Sequence, residues 1–243
     1  MLKKSVCIAT YNGEKYIEEQ LVSILKQLND TDEIIISDDD SSDNTLNIIT
    51  KLQDSRIKIY KNPKKGIISN FENALNCATG NYIFLCDQDD VWLPHKVETI
   101  MPYLKEYDLV VSDCKMVDKD LQVTERSFFK IMHSGPGFWK NFVKNTYLGC
   151  CMAFKKEILN YVLPFPSNIA MHDIWIGLSV EIHGKAFFLN KPLVLYRRHN
   201  ENASPSGGKS KYPLSYRIRY RYYILKELIK RKKEIKEATK IRL

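Results

Sequence analysis

Three carboxylates follow one short apolar segment of the 243-residue sequence. Asp87, Asp89 and Asp90 come directly after residues 82–86, a run of strand-forming residues that no polar residue interrupts. Such a run is typical of a strand buried on both faces of a parallel sheet. Carboxylates this close repel one another and are costly to desolvate. The spacing therefore predicts a divalent metal, Mg²⁺ or Mn²⁺, that holds a diphosphate, rather than a solvated acidic turn.

Up to and including this strand, segments with the apolar pattern of strands alternate with segments that have the apolar spacing of helices. Strands are predicted at residues 6–9, 34–36, 57–60 and 82–86, and helices at residues 16–28, 45–52 and 69–78. This alternation indicates an α/β fold in which crossover helices flank a parallel sheet. Ligands of such sheets bind at the carboxyl ends of the strands.

Polar residues occupy three of these predicted strand ends. In chain order they are Thr10, Tyr11 and Asn12, then Asp38 and Asp39, then Asp87 and Asp89. We expect them to converge on one rim of the sheet. Hydroxyl, aromatic, amide and carboxylate groups can contact a nucleobase there, and the last pair can hold a metal on the phosphates. The pattern predicts a nucleotide site that lacks a glycine-rich phosphate loop.

These strand ends belong to longer motifs. They are Ala-Thr-Tyr-Asn-Gly (9–13), Ser-Asp-Asp-Asp-Ser-Ser-Asp-Asn-Thr (37–45), Ala-Thr-Gly-Asn-Tyr (78–82) and Asp-Gln-Asp-Asp-Val-Trp (87–92). Together they resemble family 2 glycosyltransferases of the GT-A fold, and the last is similar to the bacterial rhamnosyltransferase-like branch. The resemblance covers residues 5 to about 205. It implies a Rossmann-like, mostly parallel sheet flanked by helices, with residues 1–112 binding the nucleotide sugar and residues 113–205 the acceptor.

The resemblance also implies roles for the donor-binding residues. Thr10, Tyr11 and Asp39 would contact the base, and the sequence does not separate Asp39 from Asp38. Asp87 would face the ribose. Asn12 shares the same rim and is predicted to bind substrate with them.

The metal is assigned to Asp89 and to a late histidine. Residues 196–199, Tyr-Arg-Arg-His, are similar to a Tyr-Arg-x-His motif of the family. His199 could supply a further metal ligand, or it could be a satisfied loop histidine. Arg197 is expected to pair with phosphate.

The second half supplies the remaining candidates. Gly149 lies in residues 148–154, which match the family segment beside the donor sugar. Asp173 stands where the family has its general base, although it could also cap the helix predicted at residues 174–182. His172 is interpreted as a neighbour that packs against or orients Asp173. Residues 128–144 are predicted to form a mobile loop near the acceptor or a surface excursion.

The last segment, residues 206–243, is strongly basic. Ile218, Tyr222, Leu225 and Ile229 recur at helical spacing among many Lys and Arg residues. The pattern predicts a basic amphipathic helix that either contacts an anionic membrane or docks on the body of the protein.

The composition limits the cell compartment and the partners. The chain is 44% hydrophobic and 27% charged, and it contains no apolar run long enough to span a bilayer. The N-terminus leads directly into a strand and leaves no room for a signal peptide, and the six cysteines suit buried thiols. We expect a cytoplasmic protein, or one that is peripheral on the inner face of the cell membrane. The net charge of +8 indicates an anionic partner.

The favoured hypothesis is an inverting, metal-dependent glycosyltransferase. It would move a sugar from dTDP-rhamnose or a UDP-hexose to a hydroxyl of a glycan or lipid-linked acceptor, in surface polysaccharide biosynthesis. One alternative is a haloacid-dehalogenase-like phosphatase that uses Asp87 and Asp89. Another is a basic nucleic-acid-binding module, although the acidic strand ends would repel phosphate, so no nucleic acid partner is expected.

Overall fold

In the described residues, 2–199 and 213–241, nine strands form one sheet, and side chains are described for all of them except residues 214 and 238–241. The structure is a computed structural model. In chain order the strands are β1 (Lys4–Thr10), β2 (Glu33–Asp38), β3 (Ile57–Lys61), β4 (Tyr82–Asp87), β5 (Val91–Trp92), β6 (Leu109–Val117), β7 (Val123–Glu125), β8 (Met152–Lys155) and β9 (Ala186–Arg197). The helices are α1 (Ile17–Leu25), α2 (Thr45–Lys51), α3 (Ile67–Cys77), α4 (Lys96–Ile100), α5 (Phe128–Met132), α6 (Phe138–Val143), α7 (Leu159–Val162), α8 (His172–His183) and α9 (Leu214–Ile241).

The sheet is parallel in the half where the predicted strands and helices alternate along the chain, and it is mixed in the other half. Its order is β3-β2-β1-β4-β8-β6-β9-β5, with β7 on β6. The strands β3, β2, β1 and β4 are mutually parallel, as are β6 and β9, whereas β8 runs antiparallel to both β4 and β6. The predicted α/β fold is thus confirmed, and the antiparallel strand β8 joins its two halves.

The parallel strands β1, β2 and β4 are buried on both faces because helices cover each side, whereas the edge strand β3 is largely exposed. Every residue of β2 is buried, as are all residues of β1 except Ala9. On β4, residues 82–86 are buried and Asp87 is partly exposed. The apolar strand therefore ends where its first carboxylate emerges, and this places Asp87 at the rim beside the ends of β1 and β2.

At the opposite end of the sheet, the buried carboxylate of Glu33 joins three strands. It accepts hydrogen bonds from the Ser5 hydroxyl (2.6 Å), the Thr79 N–H (2.7 Å) and the ammonium groups of Lys3 (2.8 Å) and Lys58 (2.7 Å). Burial raises the pKa of Glu33, but these hydrogen bonds outweigh it and hold the pKa well below its usual range. The network fixes the register of β1, β2 and β3 relative to the turn before β4.

The prediction of a mobile loop at residues 128–144 is wrong, because this segment contains α5 and α6. The Ser127 hydroxyl caps α5 by accepting the Lys130 N–H at 3.1 Å. Asp113, at the bulge of β6, accepts the Ser127 hydroxyl (2.5 Å) and the Phe129 N–H (3.0 Å). Phe128 and Phe129 are buried. Apolar burial and capping therefore override the glycine and proline residues that suggested a loop.

The basic helix α9 docks on the body with one face. Ile224 and Leu228 are buried, and the Arg231 guanidinium donates to the carbonyl oxygens of Leu163 (2.6 Å) and Pro164 (2.8 Å). The start of the predicted tail, residues 206–212, lies outside the described residues, as does its boundary with the catalytic domain. In the described chain, no helix combines the length and the apolar character that a membrane span requires.

Candidate active site

A cavity of about 600 Å³ opens at the carboxyl ends of β1, β2 and β4. Nine of the predicted site residues line it: Thr10, Tyr11, Asn12, Asp39, Asp87, Asp89, Gly149, Asp173 and His199. Asp38 and Arg197 are the two that do not. The topology therefore brings residues from both halves of the chain to one site, as the rule for parallel sheets predicts.

The structure separates Asp38 from Asp39. Asp38 is buried and accepts the Thr10 hydroxyl (3.0 Å), the Ser41 hydroxyl (2.6 Å) and the Ser41 N–H (2.9 Å). Asp39 lines the cavity and accepts the Asn62 amide (2.8 Å) and the Gly66 N–H (2.9 Å). Asp38 thus stabilises the turn that presents Asp39.

Gln88, which the sequence analysis did not single out, connects the acidic motif to the turn after β1. Its side-chain amide accepts the Tyr11 N–H (2.9 Å) and donates to the Tyr11 carbonyl (3.0 Å). A Cβ on Gly13 would lie 2.5 Å from the Gln88 Oε1 atom, so a larger residue there would displace the Gln88 amide. The backbone of Tyr11 is fixed in this way while its side chain remains 56% exposed. An aromatic ring is therefore presented at the mouth of the cavity.

The acidic cluster is under electrostatic strain. Burial, followed by the charges of Asp89 and Asp173, raises the pKa of Asp87 to about 8. Asp90 is fully buried, and burial followed by the charges of Asp89 and Asp87 raises its pKa well above the usual value. One Asp90 oxygen accepts the Arg197 N–H at 2.9 Å. Its other oxygen has no hydrogen-bond partner among the described residues.

Asp89 and His199 form the pair predicted at the metal. The His199 Nε2 atom lies 2.8 Å from the Asp89 Oδ2 atom, and both side chains line the cavity. The His199 ring also packs on the Tyr16 ring, with centroids 5.0 Å apart. The His199 ring is thus held between Tyr16, which precedes α1, and Asp89, which follows β4.

Arg197 does not have the position expected of a phosphate ligand. Its side chain is buried outside the cavity, where it donates to the Asp89 carbonyl (2.7 Å), the Lys119 carbonyl (2.6 Å) and Glu19 (2.5 Å). The guanidinium also lies over the Tyr16 ring, 4.6 Å from its centroid. Arg197 therefore supports the backbone of Asp89, and a direct contact with substrate is not part of this geometry.

Two sets of side chains could hold a metal. Asp87, Asp90 and Cys150 place ligand atoms within 4.8 Å of one another. Burial raises the pKa of the Cys150 thiol well above its usual value, and a protonated thiol suits a hard cation poorly. Asp89 and His199 line the cavity and offer a carboxylate and an imidazole, which suit Mn²⁺ or Mg²⁺ better. The residues present therefore fit a divalent cation, and the outer pair fits it best.

Asp173 is the second residue of α8, whose N-cap is Met171, so it is not the cap. Its Oδ1 atom accepts the Ile174 N–H (2.5 Å) and lies 3.5 Å from the Asn145 amide nitrogen. Burial raises the pKa of Asp173 to about 6, against the lowering effect of these two hydrogen bonds. The carboxylate is thus ionised at neutral pH and unusually basic.

Lys96 is a further residue that sequence reasoning missed. It is fully buried, its ammonium donates to the Cys150 carbonyl at 2.9 Å, and it lies 4.2 Å from the centroid of the Trp92 ring. The hydrogen bond and the ring offset part of its desolvation cost. Nothing in the spacing around Lys96 distinguishes it from a surface lysine.

Comparison with known proteins shows the family of the chain. The family model described as Glycosyl transferase family 2 matches residues 5–163. The dTDP-rhamnosyl transferase RfbG of Shigella flexneri is 31% identical, over 96% of this chain and 83% of that protein. GalNAc(5)-diNAcBac-PP-undecaprenol beta-1,3-glucosyltransferase of Campylobacter jejuni is 28% identical, over 94% of this chain and 74% of that protein. The chain therefore belongs to glycosyl transferase family 2.

The solved structures agree on the fold. S. aureus TarS 1-349 in complex with UDP-GlcNAc superposes with a TM-score of 0.71 at 20% identity. The alignment covers 93% of this chain and 66% of that one. The predicted family and its GT-A fold are confirmed, and the family match favours a glycosyltransferase over the phosphatase and the nucleic-acid-binding module.

Replacing Asp38 with Asn tests its structural role. Asp38→Asn would place an amide N–H₂ against groups that donate to the carboxylate, so we expect the free energy of unfolding to fall by about 1 to 3 kcal/mol. Urea unfolding monitored by circular dichroism measures this. Asp40→Asn is the matched control, because Asp40 is exposed and, within the described residues, pairs with the exposed Lys61 at 2.9 Å. Equal stability of the two variants would contradict the assignment.

Proposed function

We propose that the protein is an inverting transferase acting on a nucleoside diphosphate sugar, either dTDP-rhamnose or a UDP-hexose. The acceptor is a hydroxyl of a glycan or of a lipid-linked oligosaccharide in surface polysaccharide synthesis. The observation that carries the proposal is that one cavity is lined by the exposed Tyr11 ring, by the acidic pair Asp87 and Asp89, and by the carboxylate of Asp173, whose pKa is raised. The names of the rhamnosyl and undecaprenol-linked relatives support the donor and acceptor classes.

The donor would lie along the rim from Tyr11 to Asp89. The Tyr11 ring and the Asp39 carboxylate suit the nucleobase, with Thr10 and Asn12 forming the turn beneath it. Asp87 would accept from the ribose hydroxyls. The diphosphate would then approach Asp89 and His199, and the sugar would lie toward Gly149 and Asp173.

A divalent cation is proposed at Asp89 and His199. When bound, it would neutralise the charge of the departing diphosphate. The protein's own contribution is to orient the two ligands. Arg197 holds the Asp89 backbone, and Tyr16 supports the His199 ring. The raised pKa values of Asp87 and Asp90 are consistent with a site that lacks enough positive charge without the cation.

Asp173 is proposed as the general base. Its carboxylate takes the proton from the acceptor hydroxyl, and the oxygen attacks the anomeric carbon. The bond between that carbon and the diphosphate oxygen breaks, and the nucleoside diphosphate leaves. This single displacement inverts the anomeric configuration and needs no protein nucleophile.

Asp173→Asn separates chemistry from donor binding. The amide can still accept the Ile174 N–H but cannot take a proton, so kcat should fall about 10²- to 10⁴-fold. The dissociation constant for the nucleotide sugar should change little, because the diphosphate lies elsewhere. The wild-type kcat should also decrease as the pH falls through about 6, where Asp173 becomes protonated.

The control for this test is Glu157→Gln, which alters an exposed carboxylate outside the cavity. We expect that variant to keep wild-type turnover. If Asp173→Asn also retained it, Asp173 would have only a structural role at the start of α8.

Metal binding is tested through nucleotide affinity. Titration of UDP or dTDP by calorimetry at increasing Mn²⁺ should show affinity that rises with the metal. Asp89→Asn should largely remove this dependence, and His199→Ala should shift it to higher Mn²⁺, because each removes one ligand. The exposed carboxylate variant Asp40→Asn should titrate like the wild type. Identical Mn²⁺ titrations of all four proteins would contradict the assignment.

We further propose that α6 and α9 contact an anionic membrane surface. Helix α9 contains ten Lys or Arg residues and three Glu residues, whereas the chain as a whole has a net charge of +8. While Ile224 and Leu228 dock on the body, Ile218 is 60% exposed and Tyr222 is 70% exposed. On α6, Trp139 is 68% exposed. Exposed apolar groups among basic residues suit an interfacial helix on anionic lipid.

The two helices touch, which makes this surface continuous. The Arg221 guanidinium of α9 donates to the carbonyl oxygens of Phe142 and Val143 at the end of α6. Val143 is itself 63% exposed. An acceptor carried by a membrane lipid would reach the protein near this surface, since Asn145 and Asp173 follow in the same region.

The membrane proposal is tested with surface variants, because truncating α9 would expose core residues. A Trp139→Ser, Ile218→Ser and Tyr222→Ser triple variant should bind phosphatidylglycerol-containing vesicles at least about tenfold more weakly in sedimentation assays. Val123→Ser is the control, since Val123 is 50% exposed on β7. Unchanged binding by the triple variant, or equal binding of the wild type to uncharged vesicles, would reject the proposal.

A further inference from the structure

His172 is a buried polar group that the proposed chemistry does not use. It lines the cavity, yet its side chain is almost completely buried. Its ring stacks on Phe71 of α3, with centroids 3.9 Å apart. Neither ring nitrogen has a hydrogen-bond partner among the described residues. Burial lowers the pKa of His172 to about 3, so the imidazole is neutral at physiological pH.

Gly149 leaves space for this ring. A Cβ at residue 149 would lie only 2.7 Å from the His172 Nε2 atom. Any larger residue would therefore displace the imidazole or block the nitrogen on the side where Gly149 borders the cavity. The close approach indicates that the position of this nitrogen matters.

Asn70 also lines this cavity, and its side chain carries another unpartnered polar atom. Its amide nitrogen donates to the Thr10 carbonyl at 3.0 Å, which fixes the orientation of the amide group. Its Oδ1 atom is buried and has no partner among the described residues. Asn70 precedes Phe71, on which His172 stacks, so α3 positions both groups. Leaving several such atoms unpaired costs about 1 to 3 kcal/mol each, which suggests that a bound ligand satisfies them.

We infer that His172 and Asn70 form a subsite that binds hydroxyl groups of the transferred sugar. This inference rests on the proposed function and adds residues that recognise the sugar itself. A neutral imidazole offers one donor and one acceptor, and the amide oxygen offers another acceptor. Sugar hydroxyls both donate and accept, so they match these groups. A phosphate would find neither a positive charge nor a donor on the Asn70 oxygen.

The location agrees with a sugar rather than a base. His172 adjoins Asp173, which is proposed to take the proton of the acceptor hydroxyl as that oxygen attacks the anomeric carbon, and it faces Gly149. The exposed Tyr11 ring marks the other end of the rim. A sugar whose anomeric carbon is within reach of Asp173 would have its ring hydroxyls near His172. The hydrogen bonds would discriminate between sugars that differ at one hydroxyl.

The experiment compares affinities for a sugar nucleotide and for its bare nucleotide. Calorimetry with Mn²⁺ would measure binding of UDP-glucose against UDP, and of dTDP-rhamnose against dTDP. His172→Phe keeps an aromatic ring on Phe71 but removes both nitrogens. We expect the preferred sugar nucleotide to bind at least about fivefold more weakly, while the affinity for its nucleotide changes less than about twofold.

His183→Phe is the matched control. His183 is on the same helix and packs on the Tyr161 ring, with centroids 5.0 Å apart, but it does not line the cavity. It should bind both ligands like the wild type. If His172→Phe fails to fold, His172→Gln supplies a donor and an acceptor in a smaller change, and it should retain more affinity for the sugar nucleotide than His172→Ala.

Each outcome decides a different question. Equal loss of affinity for sugar nucleotide and bare nucleotide would mean that His172 only maintains the cavity, which overturns the inference. Unchanged binding of both, with a raised KM for the acceptor, would place the hydroxyl contact on the acceptor and also overturn it. If the wild-type protein bound no nucleotide or sugar nucleotide, the proposed function would fail first.

Discussion

The repulsion among the three carboxylates after β4 is the constraint on which the site depends. Asp87, Asp89 and Asp90 sit at the end of an apolar strand, where water cannot fully screen them. The protein offsets this only in part. The Arg197 guanidinium donates to the Asp89 carbonyl, and the Arg197 backbone N–H donates to the Asp90 carboxylate. The buried ammonium of Lys96 donates to the Cys150 carbonyl. The remaining negative potential faces the cavity, where we propose that a cation binds.

This electrostatic arrangement requires a rigid frame, and hydrogen bonds from outside the cluster provide it. Gln88, which lies between Asp87 and Asp89 in the sequence, forms hydrogen bonds with the backbone of Tyr11 through both amide atoms. The turn after β1 and the end of β4 are therefore held together, and these are the segments that we propose bind the donor and the metal. Glu33 performs a similar function at the opposite end of the sheet, where ammonium groups and hydroxyls stabilise its buried charge. Strand register thus sets the distances within the site.

The sequence predicted the parallel half of the sheet and most of the rim, because both depend on local periodicity and on residues at strand ends. It did not separate Asp38 from Asp39, because only the turn geometry shows that the Ser41 hydroxyl and N–H donate to Asp38. The hydrogen bonds of Arg197 to Glu19 and the Asp89 carbonyl were not predicted, because these groups are distant from Arg197 in sequence. Helices α5 and α6 were missed because they are stabilised by tertiary contacts that no local pattern reveals. Asp113 accepts the Phe129 N–H of α5, and Glu181 accepts the N–H of Gly137, the N-cap of α6.

The same apolar surroundings act in opposite directions on two adjacent residues of α8. Burial disfavours charge, so it lowers the pKa of His172 to about 3 and raises that of Asp173 to about 6. The histidine is thereby kept neutral, able to donate and accept hydrogen bonds without attracting the diphosphate. The carboxylate remains ionised at neutral pH but becomes a stronger base than a solvated aspartate. One buried helix start can therefore supply both sugar recognition and proton transfer, because desolvation selects a different protonation state for each side chain.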